Sequence, residues 1–363
     1  MRNIMKKLSL FLALVLMLSL VATGCGGGEK APESTAPEAG GNEPAPEAKT
    51  YKIGFSNSFS GNAWRATMLA SLDQEAQKHD NIELIIVDGQ NDINKQVSDI
   101  ENLISQGVDA IMCIPGSAQA VEPALKEARA NGIKVAIFNM PLTDKEAYDI
   151  YIGTDMADKS DKLTHWLGDK LGGEGKIVML GGPSGNSGTA IWREVADKIL
   201  AEEYPNIEVL QYRDTDWKED KAKQVMTDLL LAYPGEIDGI WCDGGQTTAG
   251  AMKAMLAAGN TSIPITGNSC YNSIFGMYDD LFAINPDFDF AITPEPIYQS
   301  RICLQQVIKL LDGEEQEQDQ IIDVPVYTGE NADMYDERLP DNMFTDHDLT
   351  DENLNKLLNS DSF

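Results

Sequence analysis

The 363 residues carry 58 acidic and 28 basic side chains, a formal net charge of −30. A chain this acidic repels phosphate backbones, which argues against nucleic acid as a partner. Hydrophobic residues make up 42%, enough for a body of more than one lobe, because single cores stop growing at about 250–300 residues.

Met1 to Lys7 is basic through Arg2, Lys6 and Lys7, and Leu8 to Val21 is a run of apolar and small residues. That is a secretory signal, too short and wrongly flanked for a membrane span. Ala22-Thr23-Gly24-Cys25 resembles a bacterial lipobox. It predicts a signal peptide over 1–24 and lipidation of Cys25, a plain cleavage site being the other reading. Acyl chains would hold the protein on the outer face of the cytoplasmic membrane, each buried methylene contributing about 0.8 kcal/mol. Residues 25–50 are dominated by Gly, Pro, Ala, Ser and Glu, with no large apolar side chain before Tyr51. They are expected to be a disordered tether.

From Tyr51 short apolar runs alternate with helical periodicity. YKIGFS, IELIIVDG, VDAIMCIPG and IKVAIFNM read as strands, with helices over 66–79, 93–105 and 121–130 between them. The alternation restarts with KIVMLGG, IEVLQYRD, IDGIWCDGG and IPITGNS, separated by helices near 190–203, 218–232 and 247–258. Uniformly apolar strands belong to parallel sheets covered on both faces, and this alternation predicts a doubly wound α/β fold. GVDAIMCIPGS and EIDGIWCDGGQ echo each other, which predicts two similar lobes. Ligands of such sheets gather beyond the carboxyl ends of the strands, so the cleft between the lobes is the expected site.

Catalytic patterns are absent. GGPSGNSG (181–188) has neither the Lys-Ser/Thr of a P-loop nor GxGxxG spacing, and the chain holds no GxSxG elbow and no HExxH. We therefore expect no enzyme, no cofactor and no metal. Cys113, Cys242, Cys270 and Cys303 are scattered and read as buried thiols, with a disulfide open in an oxidising compartment. Two Trp-Arg dipeptides stand out: Trp64-Arg65 and Trp192-Arg193 each follow a strand-end loop near a helix start. An indole stacks on the apolar face of a sugar while a guanidinium donates to its hydroxyl rim. The plain alternative is two packing tryptophans and two surface ion pairs; their occurrence at corresponding places favours ligand contact.

GFSNSFSGNAWRA (54–66), VDGQND (87–92), ISQGVDAIMCIPGSAQAVEPALKEARANGIKVAIFN (104–139) and IWCDGGQTTAGAMKAMLAAG (240–259) resemble, in order, blocks of the sugar-binding periplasmic substrate-binding proteins. The Trp64-Arg65 loop is most similar to the galactofuranose branch of that type I fold. The resemblance implies two doubly wound parallel-sheet lobes joined by three hinge crossovers near Thr154, Thr293 and Val324. The N-terminal lobe would hold residues 51–154 plus 294–323. The C-terminal lobe would hold 155–293 plus 324–363, including the acidic tail. The implied function is an extracytoplasmic solute-binding lipoprotein that hands a sugar-like ligand to an ABC permease and its ATPase. A ligand-sensing partner of a membrane receptor or histidine kinase is the alternative.

The implied ligand-binding residues are Phe59, Asn62, Trp64, Arg65, Gln90, Ser117, Asn139, Met140, Trp192, Arg193, Asp243, Asn268, Ser269 and Glu295. The family commonly has Asp-Arg where this chain has Asn139-Met140, Asp near Asn268-Ser269, and Gln or Asn near Pro294-Glu295. Loss of a carboxylate and a guanidinium removes charge-assisted bonds. That points away from a simple aldose, toward a modified sugar, a polyol or a related small polar molecule. In the segment from Asp312 onward, DVPVYTGENADMY (323–335) is expected to pack on a lobe, and the rest reads as a solvated surface wrap rather than a docking element.

Overall fold

The computed structural model describes residues 49–360 except 62, 185 and 332. Cys25, the signal peptide, nearly all of the tether and Asn62 lie outside the described residues. The chain first runs through β1 (Tyr51–Asn57), α1 (Ala63–Ala76), β2 (Ile82–Asp88), α2 (Ile93–Ser105), β3 (Ala110–Ile114), α3 (Ala118–Ala130), β4 (Lys134–Phe138) and β5 (Ile150–Gly153). Next come α4 (Met156–Lys170), β6 (Glu174–Gly181), α5 (Ser187–Glu202), β7 (Asn206–Asp214), α6 (Glu219–Ala232), β8 (Gly239–Cys242), α7 (Gly245–Ala258), β9 (Ile265–Asn268), α8 (Asn272–Ile284) and β10 (Phe290–Thr293). It ends with α9 (Gln299–Leu311), β11 (Asp319–Ile321), β12 (Tyr327–Thr328) and α10 (Asp351–Leu358).

Two six-stranded sheets result, ordered β11-β5-β4-β3-β1-β2 and β12-β10-β9-β8-β6-β7. The described pairings are parallel except β10 with β12. Strand alternation explains the layering. In β3, Ala110, Met112 and Ile114 join the core beneath α1 and α9, while Ile111 and Cys113 join the one beneath α2 and α3. The chain crosses between the sheets three times: at Thr154 after β5, through 294–298 before α9, and through 322–326 between β11 and β12. The four cysteines of the body are free and buried.

The tail departs from its expected character. Leu339, Met343, Phe344, Leu349, Leu354 and Leu357 are buried, so it is docked rather than a solvated wrap. Nor does it belong to the second lobe alone: Phe344 pairs with Tyr271 ahead of α8, while α10 packs on α1 of the first lobe.

Candidate ligand-binding cleft

Helix α1 begins three residues before the sequence pattern places it, so Trp64 and Arg65 sit in its first turn. Arg65 is only 6% exposed. Its Nη1 donates to Asn57 Oδ1 at 2.8 Å and its Nη2 reaches Ser58 Oγ at 3.4 Å. The guanidinium lies 5.0 Å from the Phe59 ring centroid and 5.3 Å from that of Trp64. Burial lowers the Arg65 pKa to about 10, which leaves it charged at neutral pH. Trp64 donates its Nε1 hydrogen to the Glu295 carbonyl at 2.9 Å.

Glu295 joins the lobes. It lies in the second crossover, and its carboxylate accepts from Asn139 Nδ2 (2.9 Å) at the end of β4 and from Gln299 Nε2 (3.1 Å) in α9. Its other oxygen pairs with Lys159, whose Nζ also reaches Asn268 Oδ1 at 3.4 Å. The Asp155 side chain caps α4 through the Ala157 amide at 2.8 Å. That cap starts the helix where Lys159, one turn in, is carried to the end of β9. Sequence reasoning missed Lys159, because an isolated lysine in a polar helix has no pattern to mark it.

The second wall centres on Trp217, just after the end of β7 and not among the expected ligand-binding residues. Its indole lies against two glycines: a Cβ added to Gly182 would come within 2.2 Å of it, and one added to Gly244 within 2.6 Å. Its Nε1 donates to Asp243 Oδ1 at 2.9 Å, and the Gly182 amide donates to Asp243 Oδ2 at 2.9 Å. Burial pushes the Asp243 carboxyl up to about 6, against the lowering effect of those two bonds. Trp217 as a whole is half-buried.

The expected symmetric grip is not what the structure shows. Trp192 is 3% exposed and packs edge-on against Trp241 at 6.2 Å in the core beneath α4 and α5. Arg193 is paired with Asp197 at 2.6 Å and lies 4.2 Å over the Tyr212 ring. The plain reading holds for this pair, because the sixth residue of α5, Trp192, faces inward. Gln90 is exposed in the loop after β2, and Ser117 is half-buried at the start of α3. Met140 packs on the first core, and the Ser269 amide donates to the Thr293 carbonyl at 2.7 Å.

One backbone feature marks this end of both sheets. Among the described residues, the non-glycine positions with left-handed backbone are Gln90, Asn91, Asn139, Asp216, Trp217 and Ser269, with φ of 54°, 61°, 67°, 56°, 50° and 78°. All six lie in loops at the carboxyl ends of β2, β4, β7 and β9. Each such residue costs about 1–3 kcal/mol and persists where its surroundings over-determine it, which is typical of ligand sites. A shallow hollow of about 1090 Å³ lies instead at the amino ends of the second sheet, among Lys176, Glu236 and Asp238. It has none of these strained side-chain-bearing positions, and Lys176 is already paired with Glu236. Among the described residues no cluster of His, Cys, Asp and Glu is arranged to hold a metal, and no helix is long and apolar enough to cross a membrane.

Comparison with known proteins agrees with this architecture. A family model described as the periplasmic binding protein domain matches residues 53–315. The chain is 31% identical over 258 residues to the xylitol-binding protein of Mycolicibacterium smegmatis, covering 71% of this chain and 72% of that one. It is 28% identical over 221 residues to the ribose import binding protein of Bacillus subtilis, covering 60% and 69%. Among solved structures, the arabinose-transporter binding protein of Shewanella sp. ANA-3 superposes with a TM-score of 0.71 at 24% identity, covering 85% of this chain and 98% of that one. A solute-binding protein from Bacillus halodurans C-125 with bound myo-inositol gives a TM-score of 0.70 at 21% identity, covering 80% and 99%. With two parallel α/β lobes, three crossovers and a family match over most of the ordered body, this chain belongs to the periplasmic binding protein family.

Proposed function

We propose that the chain captures a small polyhydroxylated ligand, a sugar, modified sugar or polyol, between the carboxyl ends of its two sheets. Lobe closure about the three crossovers would then present the ligand to an ABC permease and its ATPase, with Cys25 as the lipid anchor on the extracytoplasmic face. The observation that carries the reading is that, among the described residues, the six non-glycine positions with left-handed backbone all follow carboxyl ends of strands, the same end of the sheets that carries the buried Arg65 and Asp243. Phe59 and Trp217, each half-buried, supply apolar faces for the C–H surface of such a ligand, while Arg65 and Asp243 supply a donor and an acceptor for hydroxyls. Relatives named for xylitol and ribose support the class. Both relatives carry binding-protein names.

The test is a thermal-shift and calorimetric screen of the mature chain against aldoses, furanoses, linear polyols and cyclitols. A ligand at a hundredfold excess over its Kd stabilises the native state by about 2.7 kcal/mol. A hit whose affinity falls at least tenfold in Arg65→Ala and in Trp217→Ala is the expected result. Silence across all four classes would remove the polyhydroxylated-ligand reading.

A further inference from the structure

The family match ends at residue 315, yet the chain beyond it crosses from one lobe to the other and is held firmly at each end. On the second lobe, Asn272 Nδ2 donates to the carbonyls of Asp336 (3.0 Å) and Leu339 (2.9 Å), and its Oδ1 accepts from the Asp336 amide (3.0 Å). The Asn272 and Ser273 amides, otherwise unsatisfied at the start of α8, donate to Met343 and Asp341. On the first lobe, Gln74 of α1 donates to the Asp348 carbonyl (3.0 Å), and its Oε1 accepts from the Thr350 amide (2.8 Å) and Asn353 Nδ2 (2.9 Å). Ser71 Oγ donates to Asp348 Oδ1 at 2.8 Å. Midway, the Thr345 amide donates to the Cys270 carbonyl at 2.9 Å.

We propose that residues 336–353 are an interlobe tie, a fourth connection that positions α1, and with it Trp64 and Arg65, against the second lobe. It rests on the ligand-capture reading. The three crossovers are covalent hinges that permit rotation, whereas this segment is fixed to a helix flank on each lobe. Opening the cleft must therefore detach one anchor. The tie holds the ligand-free protein nearer its closed arrangement, and it raises affinity by enlarging the binding-competent fraction. Asn272 and Gln74 are positioning residues, each contributing three hydrogen bonds to one anchor.

The test places spin labels at Gln119→Cys and Lys223→Cys, exposed positions on opposite lobes, in the full mature chain without ligand. Asn272→Ala and Gln74→Ala are each expected to broaden the interlobe distance toward longer values and, with the ligand found by screening, to weaken binding at least threefold. Two anchors of one tie act in series, so the double variant should resemble either single one. Multiplying effects would mean two independent local contacts and would overturn the proposal, as would an unchanged distance distribution in the single variants. Circular dichroism identifies a variant that misfolds; Ser71→Ala, which removes a single bond, then takes the place of Gln74→Ala. The distance readout needs no ligand, so failure of the tie is distinguishable from failure of the ligand assignment.

Discussion

Lys159 and Glu295 form an ion pair in which the lysine side chain has no solvent exposure and the glutamate keeps 15%. Lys159 lies one turn beyond the first crossover and Glu295 lies within the second, so the pair couples two hinges. Asn139 from the first lobe and Asn268 from the second bond to the same pair. Such a pair is weak evidence for net stability but strong evidence of dependence, because removing one partner leaves the other buried and uncompensated.

Lys159→Met should therefore cost about 3–5 kcal/mol in urea unfolding. Adding Glu295→Gln should recover much of that loss. If the two losses simply add, the residues do not act as a pair.

The tryptophans of the second lobe should separate cleanly. Trp192→Ala empties a packed site beside Trp241 and should cost about 3–5 kcal/mol of stability. Trp217→Ala removes the ring of a half-buried residue and should cost less stability but at least tenfold in affinity. Unfolding curves and calorimetry on the two variants check this; equal affinity loss in both would restore Trp192 to the binding surface.

Asp346 predicts a pH dependence. Both of its carboxylate oxygens are covered although the residue as a whole keeps some exposure, and its own backbone amide only partly offsets that burial. Burial, with Glu295 and Asp348 nearby, pushes its pKa from 3.8 to about 7. A raised folded-state value means that the folded protein holds this proton more tightly than the unfolded chain. Stability is then lost as pH rises from about 4 through about 7, and Asp243 contributes in the lower part of that window through its own rise to about 6. Asp346→Asn should exceed the parent at pH 8 by about 1–3 kcal/mol and match it near pH 4. A parent and variant with parallel profiles between pH 4 and 8 would disprove the assignment.

Much of the fold was legible because burial leaves a periodic trace. AIMCI and GIWC are sandwiched strands and look like it; Trp64-Arg65 sits beside a strand-end loop whose small residues advertise a ligand wall. Trp192-Arg193 looked equivalent, yet a dipeptide does not reveal which way its helix faces. Lys159 left no pattern, and nothing local ties Trp217 to Asp243, since their partners lie 136 and 26 residues away.

The sequence by itself determined the two-lobed parallel α/β body, because hydrophobic period and turn chemistry are local properties. Tertiary structure alone decided that Glu295 gathers Lys159, Asn139 and Asn268, that Trp192 packs in the core while Trp217 stays half-buried beside Asp243, and that the tail binds both lobes. Those outcomes depend on which distant side chains satisfy one another's buried charges and hydrogen bonds, and on which face of a helix meets the core.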